Sequence, residues 1–167
     1  VGAGKSVRAE GTAEIFLLDG ASKRIYVSSM DVLTALGAAN FTSVSTSYRD
    51  SYSKADGNLS TMLQCGSGTK AIGIGGKVYP VTGDNTTRYK GSYKSVAAET
   101  CAALPQATRD LPKFISSTSG DIYLMENGTK RHITTIDAYR KLGGTDTNRI
   151  TASDYTLGLF KNGSDVK

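Results

Sequence analysis

The side chains able to do chemistry are few in this chain, and their spacing excludes most reactions. His132 is the single histidine. A serine-histidine-acid triad needs its histidine beside an activated nucleophile. His132 instead sits in an alternating run that reads as a strand. One histidine and two distant cysteines lack the ligand spacing of a zinc site. Asp19 and Glu126 fall at turns, and Asp31 and Asp137 fall in first turns of short helices, where the helix dipole explains them. No two of these acids read as a glycosidase pair, and no calcium loop of the Asp-x-Asp-x-Asp-Gly kind is present. Gly2-Ala3-Gly4-Lys5-Ser6 carries the last residues of a phosphate-binding loop. Val7-Arg8-Ala9-Glu10-Gly11 is a poor helix start, so the amide cradle has no scaffold. These exclusions predict a chain that is not an enzyme and uses no cofactor and no metal.

What remains is a set of aromatic and basic side chains that recurs. Residues 15–27, with Ile15, Phe16, Leu17 and Leu18 before a turn and Arg24, Ile25 and Tyr26 after it, return as residues 122–133. A weaker copy spans residues 71–81. In each copy one hairpin face gathers the candidate ligand-binding residues: Phe16, Arg24 and Tyr26; Lys77 and Tyr79; Tyr123, Lys130 and His132. Aromatic rings stack on sugar faces, and Lys or Arg can hold carboxylate or phosphate.

The elements that position them follow from local chemistry. Asn127-Gly128 between apolar runs is a strong hairpin signal, because a type I′ turn needs positive φ at both central residues. A two-residue loop pairs Glu126 with Thr129 and Ile122 with Ile133. Ile122, Leu124 and Ile133 then form a core face. The first copy has one extra turn residue, and Ile15, Leu17, Ile25 and Val27 form its core face. In the middle copy Gly75-Gly76 makes the turn, Tyr79 takes the aromatic place, and Pro80 puts its strand at an edge. A short helix follows each outer hairpin. One runs through residues 28–37 with Val32, Leu33 and Leu36 apolar, the other through 134–143 with Ile136, Tyr139 and Leu142 apolar. A loop or single turn is predicted after the middle hairpin. Strands precede the hairpins near Val7, Met62-Leu63 and Phe114-Ile115, and short apolar segments follow near Val44, Val96 and Ile150.

The predicted fold is α+β and β-rich. Three pseudo-repeats of strand, hairpin and short helix, at about 5–59, 60–111 and 112–167, form one domain with a degenerate middle repeat. One such unit cannot bury both its sheet face and its helix side, so neighbours must stack. The stack is either a closed pseudo-threefold body or a short array, and packing as one compact body is the expectation.

The formal net charge of +5 over 167 residues is spread along the chain. It allows attraction to an anionic polymer, but no basic-aromatic nucleic-acid platform is present. No window approaches the ~18 apolar residues of a membrane span. The cysteines, Cys65 and Cys101, both lie in the middle repeat. An even count in an exported chain predicts a disulfide. Of the Asn-x-Ser/Thr sequons, those at Asn127 and Asn162 read as turn dipeptides.

Residues 120–133, with Leu142-Gly143, Ile150 and Leu157 after them, resemble a repeat of secreted bacterial proteins, notably of actinobacteria. There an IYLxxxGxKRxI hairpin precedes a helix ending in Leu-Gly, in accessory modules often found beside cell-wall hydrolases or carbohydrate-active domains. The first copy departs by a one-residue turn insertion and the middle copy departs strongly. The resemblance implies an exported, surface-associated module and transfers no catalytic residue. Together with the hairpin faces it predicts a secreted or cell-surface protein that binds a cell-surface glycan or anionic wall polymer. The alternative is an adhesive module whose partner is another protein or itself.

Overall fold

The structure, a computed structural model describing residues 1–167, is built from one unit used three times. In the first unit β1 (Ser6–Ala9) leads into the hairpin of β2 (Ile15–Asp19) and β3 (Lys23–Tyr26). Then come α1 (Met30–Leu36), β4 (Thr42–Val44), α2 (Thr46–Asp50) and β5 (Ser53–Asn58). β4 returns parallel to β1 and β5 parallel to β3, giving the order β4-β1-β2-β3-β5. The third unit repeats this with β10 (Phe114–Ser116), β11 (Ile122–Glu126), β12 (Thr129–Ile133), α5 (Ile136–Lys141), β13 (Arg149–Thr151), α6 (Asp154–Leu157) and β14 (Lys161–Asn162). Its order is β13-β10-β11-β12-β14. The middle unit has β6 (Met62–Cys65), β7 (Lys70–Ile74), β8 (Lys77–Val81), α3 (Asn85–Arg88), β9 (Lys94–Val96) and α4 (Ala98–Ala103). Its fifth strand shrinks to a single parallel bridge between Val78 and Gln106.

The fold is thus α+β with three pseudo-repeats; each unit carries a second helix, and the outer units a last strand, beyond those predicted. The second helices are about one turn long, too short to imprint a 3.6-residue period. Their starts are fixed locally: Ser45 and Ser153 side chains accept hydrogen bonds from the Tyr48 and Thr156 amides. α3 is the single turn predicted for the middle unit. Ile136 is 57% exposed, against expectation. It is the first residue of α5, and that helix meets its sheet through Ala138 and Tyr139.

Hairpin registers follow the turn chemistry. Asn127 and Gly128 have φ of 50° and 79°, and Glu126 pairs with Thr129 through to Ile122 with Ile133. Phe16 pairs with Tyr26 around a longer turn. β8 lies at the sheet edge, as Pro80 requires. The middle hairpin aligns with the outer two differently from expectation. Leu63 pairs with Ala71 as Val7 pairs with Phe16 and Ile115 with Tyr123. Ala71 in turn faces Pro80. Pro80, and not Tyr79, therefore stands where Tyr26 and His132 stand. A one-residue slip moves a side chain to the opposite sheet face.

Each sheet carries its first helix on one face and its second helix on the other. The α1 face (Leu17, Ile25, Leu33, Leu36) shares one core with the α4 face of the middle unit (Leu63, Ala71, Val78, Cys101). The opposite face of the middle sheet (Met62, Ile72, Tyr79, with Tyr89) shares a second core with Ile115, Met125, Leu157 and Phe160 of the third unit. The units therefore stack in a row. α1 and α6 also meet beside the middle sheet, where the Thr156 hydroxyl donates to Thr61 Oγ1 at 3.3 Å. Both joints use the same backbone bond. A turn glycine amide, Gly76 or Gly128, donates to a helix carbonyl of the preceding unit, Ala35 or Arg88, at 3.0 Å. The Cys65–Cys101 disulfide ties β6 to α4 within the middle unit.

Candidate functional site

The row arrangement decides which hairpin faces reach solvent. Each predicted face is the one that carries the second helix in the outer units. In the first unit it lies under α2, and in the third it packs partly on the middle unit. In the middle unit the corresponding face is closed by the first unit.

Two predicted residues are consequently packing residues. Phe16 is 2% exposed beneath Tyr26, Tyr48 and Tyr52, and Tyr79 is 7% exposed in the core between the second and third units. Neither presents a ring to a ligand. Lys77 is exposed beside the middle turn, opposite Ile74. Arg24 is occupied. Its guanidinium donates to the Arg49 and Tyr52 carbonyls, lies 5.0 Å over the Phe16 ring and comes within 3.8 Å of Asp50. It fastens the α2–β5 connection. Tyr26 is half-buried, edge-on to Phe16 at 5.8 Å, with the Lys54 ammonium 5.8 Å over its ring. The N-terminal Gly-Lys-Ser makes no phosphate cradle: the Gly4 amide donates to Leu18 and the Ser6 hydroxyl to Ala38.

The third unit does bring its predicted residues together. Tyr123, Lys130 and His132 line one open cleft of about 280 Å³ with Asn162, Gly163 and Asp165. Tyr123 and His132 are cross-strand partners whose ring centroids lie 5.5 Å apart at 42°. The Lys130 ammonium donates to the Phe160 carbonyl at 2.6 Å, and burial lowers its pKa. Burial also raises the Tyr123 phenol, and the charges of Asp121 and Asp154 push it the same way. His132 Nε2 lies 3.7 Å from Asp121 Oδ1. Lys130 is thus already engaged, and Asp165 adds a carboxylate to the lining, so the cleft does not offer a free positive charge to a polyanion. Asn162 was read as part of a turn dipeptide but lies in β14, and Asp165 was missed because nothing in the sequence marks the residues after β14. No cluster of three or more His, Cys, Asp or Glu side chains gathers to hold a metal ion.

Disulfides form and persist outside the reducing cytosol, so Cys65–Cys101 suits an extracellular or periplasmic location. No helix is long and apolar enough to cross a membrane. No family model and no curated protein matches the chain. Among solved structures it is weakly similar to a chain of the periplasmic assembly from the ESX-5 inner membrane complex. The TM-score is 0.31 and the identity 12%, covering 100% of this chain and 67% of that one. A chain of the intact ESX-5 inner membrane complex gives a TM-score of 0.30 at 12% identity, covering 99% of this chain and 58% of that one. Likeness at this level leaves function to be argued from the chain's own residues.

Proposed function

We propose that this chain is a non-catalytic exported module that binds a cell-surface glycan through the cleft of Tyr123 and His132. The observation that carries the reading is the meeting of two adjacent rings with Asn162 and Asp165 at one open groove. Rings offer an apolar platform to a sugar face, while amide and carboxylate oxygens accept hydroxyl protons. The groove is smaller than the roughly 300–1,000 Å³ of pockets that enclose a small molecule, and it suits a polymer laid across it. With Lys130 engaged and acids nearby, a neutral glycan fits better than an anionic one. The resemblance of residues 120–133 to repeats found beside carbohydrate-active domains points the same way. Binding then rests on one weak site, because the face is not displayed three times.

The test is retention on isolated cell walls and on neutral polysaccharides. The Tyr123→Ala, His132→Ala double variant is expected to lose retention while still unfolding in one cooperative thermal transition. Tyr26→Ala is expected to bind as the parent does. Unchanged retention of the double variant would overturn the glycan reading.

A further inference from the structure

The two outer units share a second cleft that the hairpin faces do not include. In the first unit it is lined by residues 13–15 and 26–30, and in the third by residues 120–122 and 132–136. The volumes are about 200 and 240 Å³. Both are lined by 8 residues, and these correspond one for one through the sheet register. The residues differ at most positions, yet their chemistry is kept: Glu14 and Asp121, Ile15 and Ile122, Val27 and Ile133, Ser29 and Thr135, Met30 and Ile136.

Two features set these clefts apart from ordinary surface. The first is exposed apolar area. Met30 is 41% and Ile136 57% exposed, and they are two of only four large apolar side chains left in solvent. Both stand at the first position of a helix that otherwise buries its apolar residues. The second is charge. The chain carries a net +5, yet neither cleft is lined by a lysine or arginine, and each holds one carboxylate. Glu14 makes no ion pair, and Asp121 has only His132 at 3.7 Å. The middle unit, with Thr69, Pro80 and Asp84 at the matching places, keeps neither the acid beside the strand nor the apolar residue.

We infer that these clefts are two equivalent sites for lysine side chains of a partner polypeptide. An aliphatic floor with a carboxylate at its rim matches a four-carbon stem that ends in an ammonium group. The clefts are too open to enclose a free small molecule, whereas a side chain reaching down from a chain on the surface fills them. Two sites on one rigid body bind a partner with two suitably spaced lysines more tightly than either site alone.

The experiment titrates the full chain with the peptide acetyl-Gly-Gly-Lys-Gly-Gly-amide and follows the Met30 and Ile136 methyl resonances, one reporter per cleft. Both are expected to shift and to give a stoichiometry of two. The same peptide with norleucine for lysine should bind about three-fold more weakly or worse, the scale of one exposed ion pair. Glu14→Gln is expected to weaken only the Met30 response and Asp121→Asn only the Ile136 response. Equal binding of the norleucine peptide, or carboxamide variants that bind like the parent, would overturn the inference. So would movement of one methyl alone. His132 also borders the glycan cleft, so Tyr123→Ala serves as the control: it should abolish wall retention and leave both methyl titrations intact.

Discussion

Asp19, the last residue of β2 in the first unit, caps a helix of the second: its Oδ1 accepts the Ala97 amide at 2.8 Å. The same oxygen accepts the Thr100 hydroxyl at 2.7 Å, and that hydroxyl in turn accepts the Gly20 amide at 2.8 Å. α4 lacks the serine that caps α2 and α6 and has no side-chain cap of its own. The carboxylate of a neighbouring unit does the work of a capping-box acid.

Asp19→Ala is therefore expected to destabilise the fold by about 1–2 kcal/mol, the scale of a lost helix cap. Asp19→Asn keeps an acceptor and should lose less. Urea unfolding measures both. A Ser45→Ala variant with a loss as large as that of Asp19→Ala would show that joining two units adds nothing to the cap.

Gly73 lets α1 lie directly on β7. A Cβ there would stand 2.5 Å from Leu36 Cδ2 and 3.0 Å from the Ala35 carbonyl. The corresponding places hold Leu18 in the first unit and Met125 in the third. Gly73→Ala is expected to cost about 1–3 kcal/mol by overpacking. Gly68→Ala, which meets nothing within 4 Å, should stay within about 0.5 kcal/mol of the parent.

The disulfide closes a loop with a sequence separation of 36. Replacing both cysteines by serine is expected to remove about 4 kcal/mol on the chain-entropy argument. The denaturation midpoint of the parent should fall to that of the variant when reductant is added.

Two tyrosines should resist alkali. Burial holds the Tyr89 phenol well above its usual range and pushes Tyr93 up to about 12. The folded state favours their neutral form. Their contribution to stability is complete below pH ~10 and is lost as pH rises from there through the folded value. In a spectrophotometric titration, Tyr89 and Tyr93 should ionise last, together with unfolding. Full ionisation of all tyrosines in one step near pH 10, with the fold intact, would contradict this.

The hairpins were legible because their signals are local: Asn127-Gly128 set its own register, and Pro80 set its strand at an edge. The helix after the first hairpin was legible through Val32, Leu33 and Leu36. The second helices were not, since Thr46–Asp50 and Asp154–Leu157 complete barely one turn. The error over Tyr79 had a different source. It followed the likeness of one aromatic to another, whereas strand pairing assigns that place to Pro80. The burial of Phe16 and Tyr79 follows from α2 and from the order of stacking, and both depend on contacts far apart in the chain. Ile136 read as a core residue of an amphipathic helix because the helix start was placed at Thr134, whereas Ile136 is the first residue of α5.

Because protein covers both faces of the middle sheet, its strands cannot open without disrupting two hydrophobic cores at once. The amide hydrogens of Leu63, Ala71 and Ile72 should then exchange with solvent only through the largest opening of the molecule. Those of β4 and β14, at the outer margins, should exchange through small local excursions. The least recognisable copy of the motif would thus be the last to let go.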